Sequence, residues 1–229
     1  MRFDCFGTRC GVWADAGARD ARRRLQAWHN EFSRFLPRSE LSRLTADPRS
    51  RAFQFTLVRA GDLHVVRRPP GLAFDSGGLA KGLFADLIAD RLRGSFAVDC
   101  GGDLRFAGEP RRIEVADPFG GPVLHVFEVT DGAVATSGIG RRSWIGPDGR
   151  PAHHLLDPST GRPAFTGVVQ ATALAPTAVE AEWRAKAAVL SADGAWLAHG
   201  GVLVLDDGRH EVVGRRADVD AQERAVPIS

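Results

Sequence analysis

Residues 75–82, Asp-Ser-Gly-Gly-Leu-Ala-Lys-Gly, most restrict the fold of this chain, because they predict a glycine-rich turn that opens directly into a helix. Hydrophobic residues then recur at steps of three and four, the spacing of a core-facing helical stripe. The predicted stripe contains Leu79, Leu83, Phe84, Leu87, Ile88 and Leu92, and the helix is expected to run to about Arg93. A helix N-terminus with glycines suits a phosphate group. Lys81 lies near this first turn, where a cation is unfavourable unless it meets an anion. A plain turn with a solvated lysine is the alternative.

The remaining pattern favours an α+β fold with an antiparallel sheet, because strands dominate without strict alternation with helices. A long helix is expected over residues 18–36, and Ser39 is predicted to cap a short turn after it. The sequence from Thr177 to Glu180 is a capping box, which predicts a helix from there to about residue 190. The first half of the sequence predicts two strands within 2–14 and further strands at 53–58, 63–66, 72–74 and 95–99, with another ending at 106. An antiparallel meander is predicted next, with strands at 112–116, 123–129, 133–136 and 143–145. The last predicted strands are 168–175, 202–205 and 211–213.

Composition excludes some classes of protein. The 229 residues carry 30 basic and 28 acidic side chains, a balance that gives no reason to propose a nucleic-acid partner. No stretch is long and apolar enough to span a membrane, and the first residues lack the apolar segment of a signal peptide. We therefore expect a cytoplasmic protein without membrane insertion. Cys5, Cys10 and Cys100 have neither metal-site nor disulfide-framework spacing, so we expect buried hydrophobes.

Two further pairs of polar residues are candidates for a functional site. Thr136 and Ser137 end a predicted strand, where hydroxyl groups either contact a phosphate or simply form a turn. Glu182 and Lys186 are four residues apart on one helical face, which is also the spacing of an ordinary surface ion pair. Lys81 and Lys186 are the only lysines in the sequence, so each invites a local explanation, although arginine bias accounts for the ratio more simply.

A loop over residues 150–164 contains His153 and His154, with Asp157 three residues further on. Such a group either orients a general base, binds a metal or only pins an exposed loop. Adjacent side chains of an extended segment point to opposite faces, so one of the two histidines is expected to be functional.

Taken together and in order, these segments resemble the ApbE family, the FAD:protein FMN transferases. The shared segments are residues 6–8, 33–44, 75–86, 98–103, 135–138, 153–163 and 175–178. The resemblance implies one ApbE-like domain over residues 1–229, related to the T-fold, with an antiparallel sheet and packed helices. Residues 215–229 are expected to form a frayed tail.

Enzymes of this family cleave the diphosphate of FAD with a divalent metal, usually Mg²⁺, and release AMP. The FMN half passes to a serine or threonine hydroxyl of an acceptor protein that carries a motif of the form Asp-x-x-(Ser/Thr)-(Gly/Ser)-Ala-Thr. By resemblance, Gly78 offers a backbone carbonyl to the metal, Glu182 takes the position of the family's metal-binding carboxylate, and His154 acts as the base. Lys186, at the position of a family threonine, is expected to be a second catalytic residue. The FAD contacts implied in the same way are Phe6, Phe35, Asp75, Gly78, Lys81, Thr136, Ser137 and His154.

Two features depart from the family pattern. The family's metal motif, Ala-Asp-x-x-x-Thr, is here Ala-Glu-x-x-x-Lys at residues 181–186, and a protonated lysine cannot bind a hard cation. Lys186 is therefore expected either to form an ion pair with Glu182 or to contact the diphosphate. In the second case its positive charge would replace part of the charge of the metal ion. Only 30 residues, 45–74, separate Leu44 from Asp75, without the family's Thr-Asp-Gly-x-Phe-Asp-Pro-Thr segment. The flavin pocket is therefore expected to be open or completed by another chain.

These departures keep two alternatives to an FMN transferase. One is a non-catalytic FAD-binding protein, and the other is an FAD pyrophosphatase that produces FMN and AMP.

Overall fold

A computed structural model of the chain describes residues 1–33, 35–46 and 76–214. The strands predicted at 53–58, 63–66 and 72–74, most of the shortened segment 45–74, Asp75 and the tail at 215–229 lie outside the described residues. Within the described part, no helix is both long and apolar enough to cross a membrane.

The strands form one large sheet and two hairpins. In chain order they are β1 (Arg2–Cys5), β2 (Thr8–Ala14), β3 (Phe96–Cys100), β4 (Leu104–Ala107), β5 (Arg111–Val115), β6 (His125–Val129), β7 (Gly132–Gly138), β8 (Ser143–Ile145), β9 (Pro151–His153), β10 (Val168–Ala175), β11 (Gly201–Leu205) and β12 (His210–Val213). The large sheet has eight strands in the order β1-β2-β3-β4-β7-β10-β11-β12. Every neighbouring pair in it is antiparallel, as the sequence predicts.

The predicted meander over residues 112–145 is wrong as a single sheet. β5 pairs with β6 and β8 pairs with β9 as separate hairpins, while β7 lies between β4 and β10 in the large sheet. The individual strands are found close to their predicted positions. Their pairing differs because β7 carries small apolar residues that pack with the buried strands β4 and β10 on either side of it. Both partner strands lie outside residues 112–145, so the pattern within that segment does not predict the pairing.

Four α-helices occur in the described residues: α1 (Ala18–Phe32), α2 (Glu40–Ala46), α3 (Ala80–Ala89) and α4 (Ala178–Ser191). α1 ends four residues before the predicted limit because Ser33 is extended and its carbonyl oxygen accepts a hydrogen bond of 2.7 Å from Ser39 Oγ. Ser39 Oγ in turn accepts the backbone N–H of Ser42 at 3.0 Å, which confirms Ser39 as the cap of α2.

The helices cover one face of the sheet, and the β5–β6 hairpin lies against the other face. α1, α3 and the start of α4 share one hydrophobic cluster with β2, β3 and β7, and the remainder of α4 packs on β10 and β11. All three cysteines are buried in the first cluster as free thiols, which confirms the prediction for them. Lys81, Glu182 and Lys186, which α3 and α4 carry, therefore lie on the helix-covered side.

The predicted core stripe of α3 is only partly correct. Phe84, Ile88 and Leu92 are buried, but Leu79, Leu83 and Leu87 are exposed. α3 also ends at Ala89 instead of Arg93. The buried face is rotated because Gly82 and Ala85 turn toward α4, where small side chains allow the two helices to approach closely.

Gly82→Ala is expected to lower the free energy of unfolding by about 1–3 kcal/mol, since it forces overpacking between α3 and α4. A Cβ at Gly82 would lie 2.6 Å from the carbonyl oxygen of Ala178. Helix propensity alone predicts the opposite sign, a gain of about 1 kcal/mol. Gly140→Ala is the control, because nothing lies within 4 Å of its added Cβ. Chemical denaturation that shows Gly82→Ala to be stabilising would contradict this packing.

Candidate active site

The N-terminus of α4 is anchored by a carboxylate from α3. Asp86 accepts the backbone N–H groups of Ala178 at 2.8 Å and Val179 at 2.9 Å, while Thr177 Oγ1 accepts that of Glu180 at 3.3 Å. Thr177 is thereby confirmed as the cap, and Asp86 satisfies the two N–H groups that precede Glu180. This direct link sets the position of α4 relative to α3.

The other half of the predicted capping box does not form. The Glu180 carboxylate instead binds Arg184 at 2.8 Å and His199 at 3.3 Å. The helix starts where predicted because Asp86 supplies the missing acceptors.

One turn further along α4, Glu182 is a buried acceptor between the two helices, with 1% of its side chain exposed. Its Oε2 accepts the backbone N–H of Gly82 at 2.9 Å. Its Oε1 lies 3.0 Å from Lys186 Nζ and 3.7 Å from Lys81 Nζ. The interpretation of Glu182 and Lys186 as an ordinary surface pair is therefore wrong, because Gly82 leaves room for the carboxylate inside the helix junction.

Asp103 is the second carboxylate of this site and forms a close ion pair with Lys81. It follows the β3–β4 turn, in which the N–H of Cys100 bonds to the carbonyl oxygen of Asp103 at 3.0 Å. Asp99 Oδ1 closes the same turn by accepting the N–H of Gly102 at 2.8 Å. The sequence analysis gave Asp103 no role, although it ends one of the segments shared with the family.

Burial and the neighbouring charges shift the pKa values of Asp103 and Lys81 in opposite directions. Burial raises the pKa of Asp103 to about 7, although the Lys81 ammonium pulls it down. Burial lowers the pKa of Lys81, but Asp103 and then Glu182 outweigh it, so its pKa lies above the ordinary value. Lys81 is therefore a protonated, firmly held cation at the start of α3.

The described residues do not fit a bound Mg²⁺ ion. Both oxygens of Glu182 already accept hydrogen bonds or ion pairs, two of them from ammonium groups. A side chain at Gly78 would begin 3.9 Å from Lys186 Cε, so the lysine stem lies against the residue implied as the other ligand. No three acidic, histidine or cysteine side chains in the described ranges form a metal-binding group. The assignment of Gly78 and Glu182 as magnesium ligands is therefore not supported.

Thr136 and Ser137 lie side by side on β7 but face opposite sides of the sheet. Thr136 Oγ1 is 2.8 Å from Thr172 Oγ1 of the paired strand. Ser137 is buried opposite Ala171, whose side chain packs with α4. Because α4 carries Glu182 and Lys186, only Ser137 is on the side of the charged residues.

The two histidines also separate, as strand geometry predicts. His153 is buried, its Nδ1 accepts the N–H of Leu155 at 3.3 Å, and its ring packs on Phe165 with centroids 4.7 Å apart. His154 is exposed and lies close to the backbone of Arg142. Partial burial and then the Arg142 charge lower the pKa of His154, with a smaller contribution from Lys186. His154 is thus within electrostatic reach of Lys186.

Arg142 is a site residue that the sequence analysis missed. Its positive charge acts on both His154 and Lys81, although it lies in the segment after β7. Arg141 and Arg142 are adjacent in a turn, and nothing in the sequence marks Arg142 rather than its neighbour as a site residue.

Phe6 and Phe35, which the resemblance implies as FAD contacts, lie in the β1–β2 turn and in the segment after α1. Phe6 adopts φ 56° in the β1–β2 turn, and its ring stacks on Phe84 with centroids 5.0 Å apart. Phe35 is 66% exposed and lines a cavity of about 670 Å³ together with Gly7, Thr8 and His29. A Cβ at Gly101 would lie 2.3 Å from Thr8 Cγ2, so this cavity adjoins the turn that ends at Asp103.

The geometry thus joins residues that are far apart in the chain. It brings Lys81 and Lys186 to the same carboxylate of Glu182 and places His154 within reach of the Lys186 charge. Asp75, expected to contact FAD, lies outside the described residues.

Comparison with known proteins identifies relatives of this chain and structures of the same fold. Residues 49–200 match the sequence model of the ApbE family. The chain is 34% identical to a Vibrio cholerae FAD:protein FMN transferase over 124 residues, which are 49% of this chain and 37% of that protein. It is 35% identical to the Treponema pallidum FAD:protein FMN transferase over 146 residues, 55% of this chain and 40% of that protein. The matched region thus spans about two fifths of the length of these relatives.

Solved structures show the same fold. The ApbE protein from Thermotoga maritima superposes with a TM-score of 0.75 at 21% identity, covering 96% of this chain and 97% of that chain. The flavin transferase ApbE from Vibrio cholerae superposes with a TM-score of 0.72 at 18% identity, with the same coverage. The predicted α+β, ApbE-like fold is confirmed, and because the family match spans well over half of its residues, the chain belongs to the ApbE family.

Proposed function

We propose that this protein transfers FMN from FAD to a serine or threonine hydroxyl of an acceptor protein and releases AMP. The observation that carries the proposal is the convergence of Lys81 and Lys186 on one buried carboxylate. His154 lies in reach of the Lys186 charge. Phosphoryl transfer depends mainly on positioning and on neutralising charge, and this arrangement suits both. The names of the relatives support the same reaction.

In the proposed step, the acceptor hydroxyl oxygen bonds to the phosphorus on the FMN side of the diphosphate. The bond from that phosphorus to the bridging oxygen breaks, and AMP leaves with the bridging oxygen. His154 takes the hydroxyl proton, which requires a neutral imidazole. The lowered pKa of His154 provides that form at neutral pH.

The flavin is proposed to lie along the cavity beside the Phe6–Gly7 turn and Phe35. Aromatic rings and an open groove suit a planar ring system. Ser137 and the start of α3 lie on the helix-covered side of the sheet, where the diphosphate would meet Lys81. Thr136 remains a proposed FAD contact only through its backbone, because its side chain bonds to Thr172.

Product analysis tests this function. The protein is incubated with FAD, with and without a peptide carrying the Asp-x-x-(Ser/Thr)-(Gly/Ser)-Ala-Thr motif. We expect AMP and flavinylated peptide in equal amounts. AMP with free FMN, independent of the peptide, would indicate a pyrophosphatase instead, and a stable FAD complex without AMP would indicate a binding protein.

The pH dependence of transfer gives a second prediction. Because His154 must be neutral and its pKa is lowered from 6.5, kcat/KM is expected to rise with pH to a plateau with a midpoint below 6.5. The profile is measured with saturating peptide at several FAD concentrations. A midpoint above 6.5 that disappears in His154→Ala would contradict the assigned environment of this histidine.

A further inference from the structure

We propose that the Lys186 ammonium takes the place of a divalent metal and binds the diphosphate of FAD directly, so that FAD binding does not require Mg²⁺. This inference rests on the proposed function and names the group that holds its substrate. It follows from three observations: Lys186 lies at the start of α3, both oxygens of Glu182 already have partners, and the carboxylates are more deeply buried than the ammonium groups.

Lys186 is placed to contact a ligand at the start of α3. Its stem passes Gly78 in the turn before that helix, and its ammonium binds Glu182 Oε1 at 3.0 Å. An ammonium group has three protons, and this ion pair uses one of them. Its side chain is 20% exposed, and its one hydrogen bond among the described residues is to Glu182, which leaves two protons for phosphate oxygens.

A divalent cation would compete with Lys186 for the same oxygen. Glu182 Oε1 already lies within ion-pair distance of Lys186 and Lys81, and Oε2 accepts the N–H of Gly82. A cation placed there would face two ammonium groups at close range, and like charges repel strongly in a buried site. The aspartate-and-threonine motif of the family has no such cation of its own.

The solvent-facing side of the site is cationic, because its carboxylates are more deeply buried than its lysines. Asp103 and Glu182 expose 3% and 1% of their side chains, whereas Lys81 and Lys186 expose 18% and 20%. The carboxylates therefore lie behind the ammonium groups and hold them in place. Arg142 adds positive charge near Lys81 without a carboxylate partner among the described residues. A diphosphate that approaches from solvent meets the cations first.

The experiment measures the Kd for FAD by quenching of flavin fluorescence, in EDTA and in millimolar Mg²⁺. The wild type is expected to bind FAD with the same Kd in both. Lys186→Met is expected to weaken binding by about tenfold to a hundredfold in both, the loss for a hydrogen bond to a charged group. Lys186→Arg keeps the charge and is expected to retain more affinity than Lys186→Met.

Two further variants control the result. Arg184→Met removes another cation of α4, which pairs with Glu180, and is expected to leave the Kd for FAD unchanged. The double variant Glu182→Asp/Lys186→Thr restores the family motif and is expected to bind FAD more tightly with Mg²⁺ than with EDTA. Thermal unfolding confirms that each variant is folded.

The outcomes separate the two proposals. Wild-type binding at least about tenfold tighter in Mg²⁺ than in EDTA would overturn the role of Lys186 and leave FMN transfer intact. Absence of FAD binding under both conditions would overturn FMN transfer and the role of Lys186 together. Equal Kd values for the wild type and Lys186→Met would also remove Lys186 from the diphosphate.

Discussion

Glu182→Ala is expected to lower the free energy of unfolding by about 3–5 kcal/mol, the cost of removing one partner from a buried charged group. The variant would leave the Gly82 N–H without its acceptor and would take a shared carboxylate from Lys81 and Lys186. Neither lysine can rotate fully into water without leaving the α3–α4 junction, because most of each side chain is buried. Urea denaturation at neutral pH measures the loss.

Glu180→Ala is the matched control for this prediction. Glu180 is on the same helix and also pairs with a cation four residues on, but its side chain is 25% exposed. The expected loss is about 0.2–1 kcal/mol, because water still reaches the Glu180 carboxylate, which is not enclosed between two helices as Glu182 is. Equal losses for the two variants would show that Glu182 is not the buried centre of the site.

His154→Ala is expected to slow FMN transfer by about 10²–10⁴-fold, the usual contribution of a general base, with little change in the Kd for FAD. The side chain is exposed beside Arg142 and does not hold the core together, so the variant is expected to stay folded. Transfer to the acceptor peptide is followed at saturating FAD, and binding is measured separately.

His199→Ala controls for the loss of an exposed histidine, since His199 pairs with Glu180 on the outer part of α4. It is expected to transfer FMN at the wild-type rate. If His154→Ala weakens FAD binding as much as it slows transfer, His154 belongs to the binding site and another group is the base.

Local signals in the sequence predicted individual elements well. Residues 168–175 form β10 as predicted because the apolar run is bounded by a glycine and by the Thr177 cap. The separation of His153 from His154 also follows from strand alternation alone. In each case the determining residues are neighbours in the chain.

Features that depend on distant residues were not predicted. The burial of Glu182 depends on Gly82, which is a hundred residues away and whose missing side chain lets α4 approach α3. The same approach turns Leu79, Leu83 and Leu87 outward, although helical spacing alone places them with the core. The pairing of β7 with β4 and β10 is likewise decided by strands outside its own segment.

The site was predicted in part from family resemblance and is completed by tertiary contacts. Lys81 and His154 were named from segments that resemble the family, and Lys186 from its departure from the family's metal motif. The structure brings both lysines to Glu182 and puts His154 within reach of the Lys186 charge. Asp103 and Arg142 were missed, since each acts through a residue distant in the chain. The change from threonine to lysine at position 186 was visible in the sequence, but its contact with Glu182 and Gly78 required the fold.

The most direct test of FMN transfer is the intact mass of an acceptor peptide after incubation with this protein and FAD, with AMP measured in the same sample. The account predicts that the peptide gains one FMN phosphoester for each AMP released, and that replacing its acceptor serine or threonine by alanine abolishes both products. Unmodified peptide together with intact FAD, in EDTA and in Mg²⁺ alike, would contradict it.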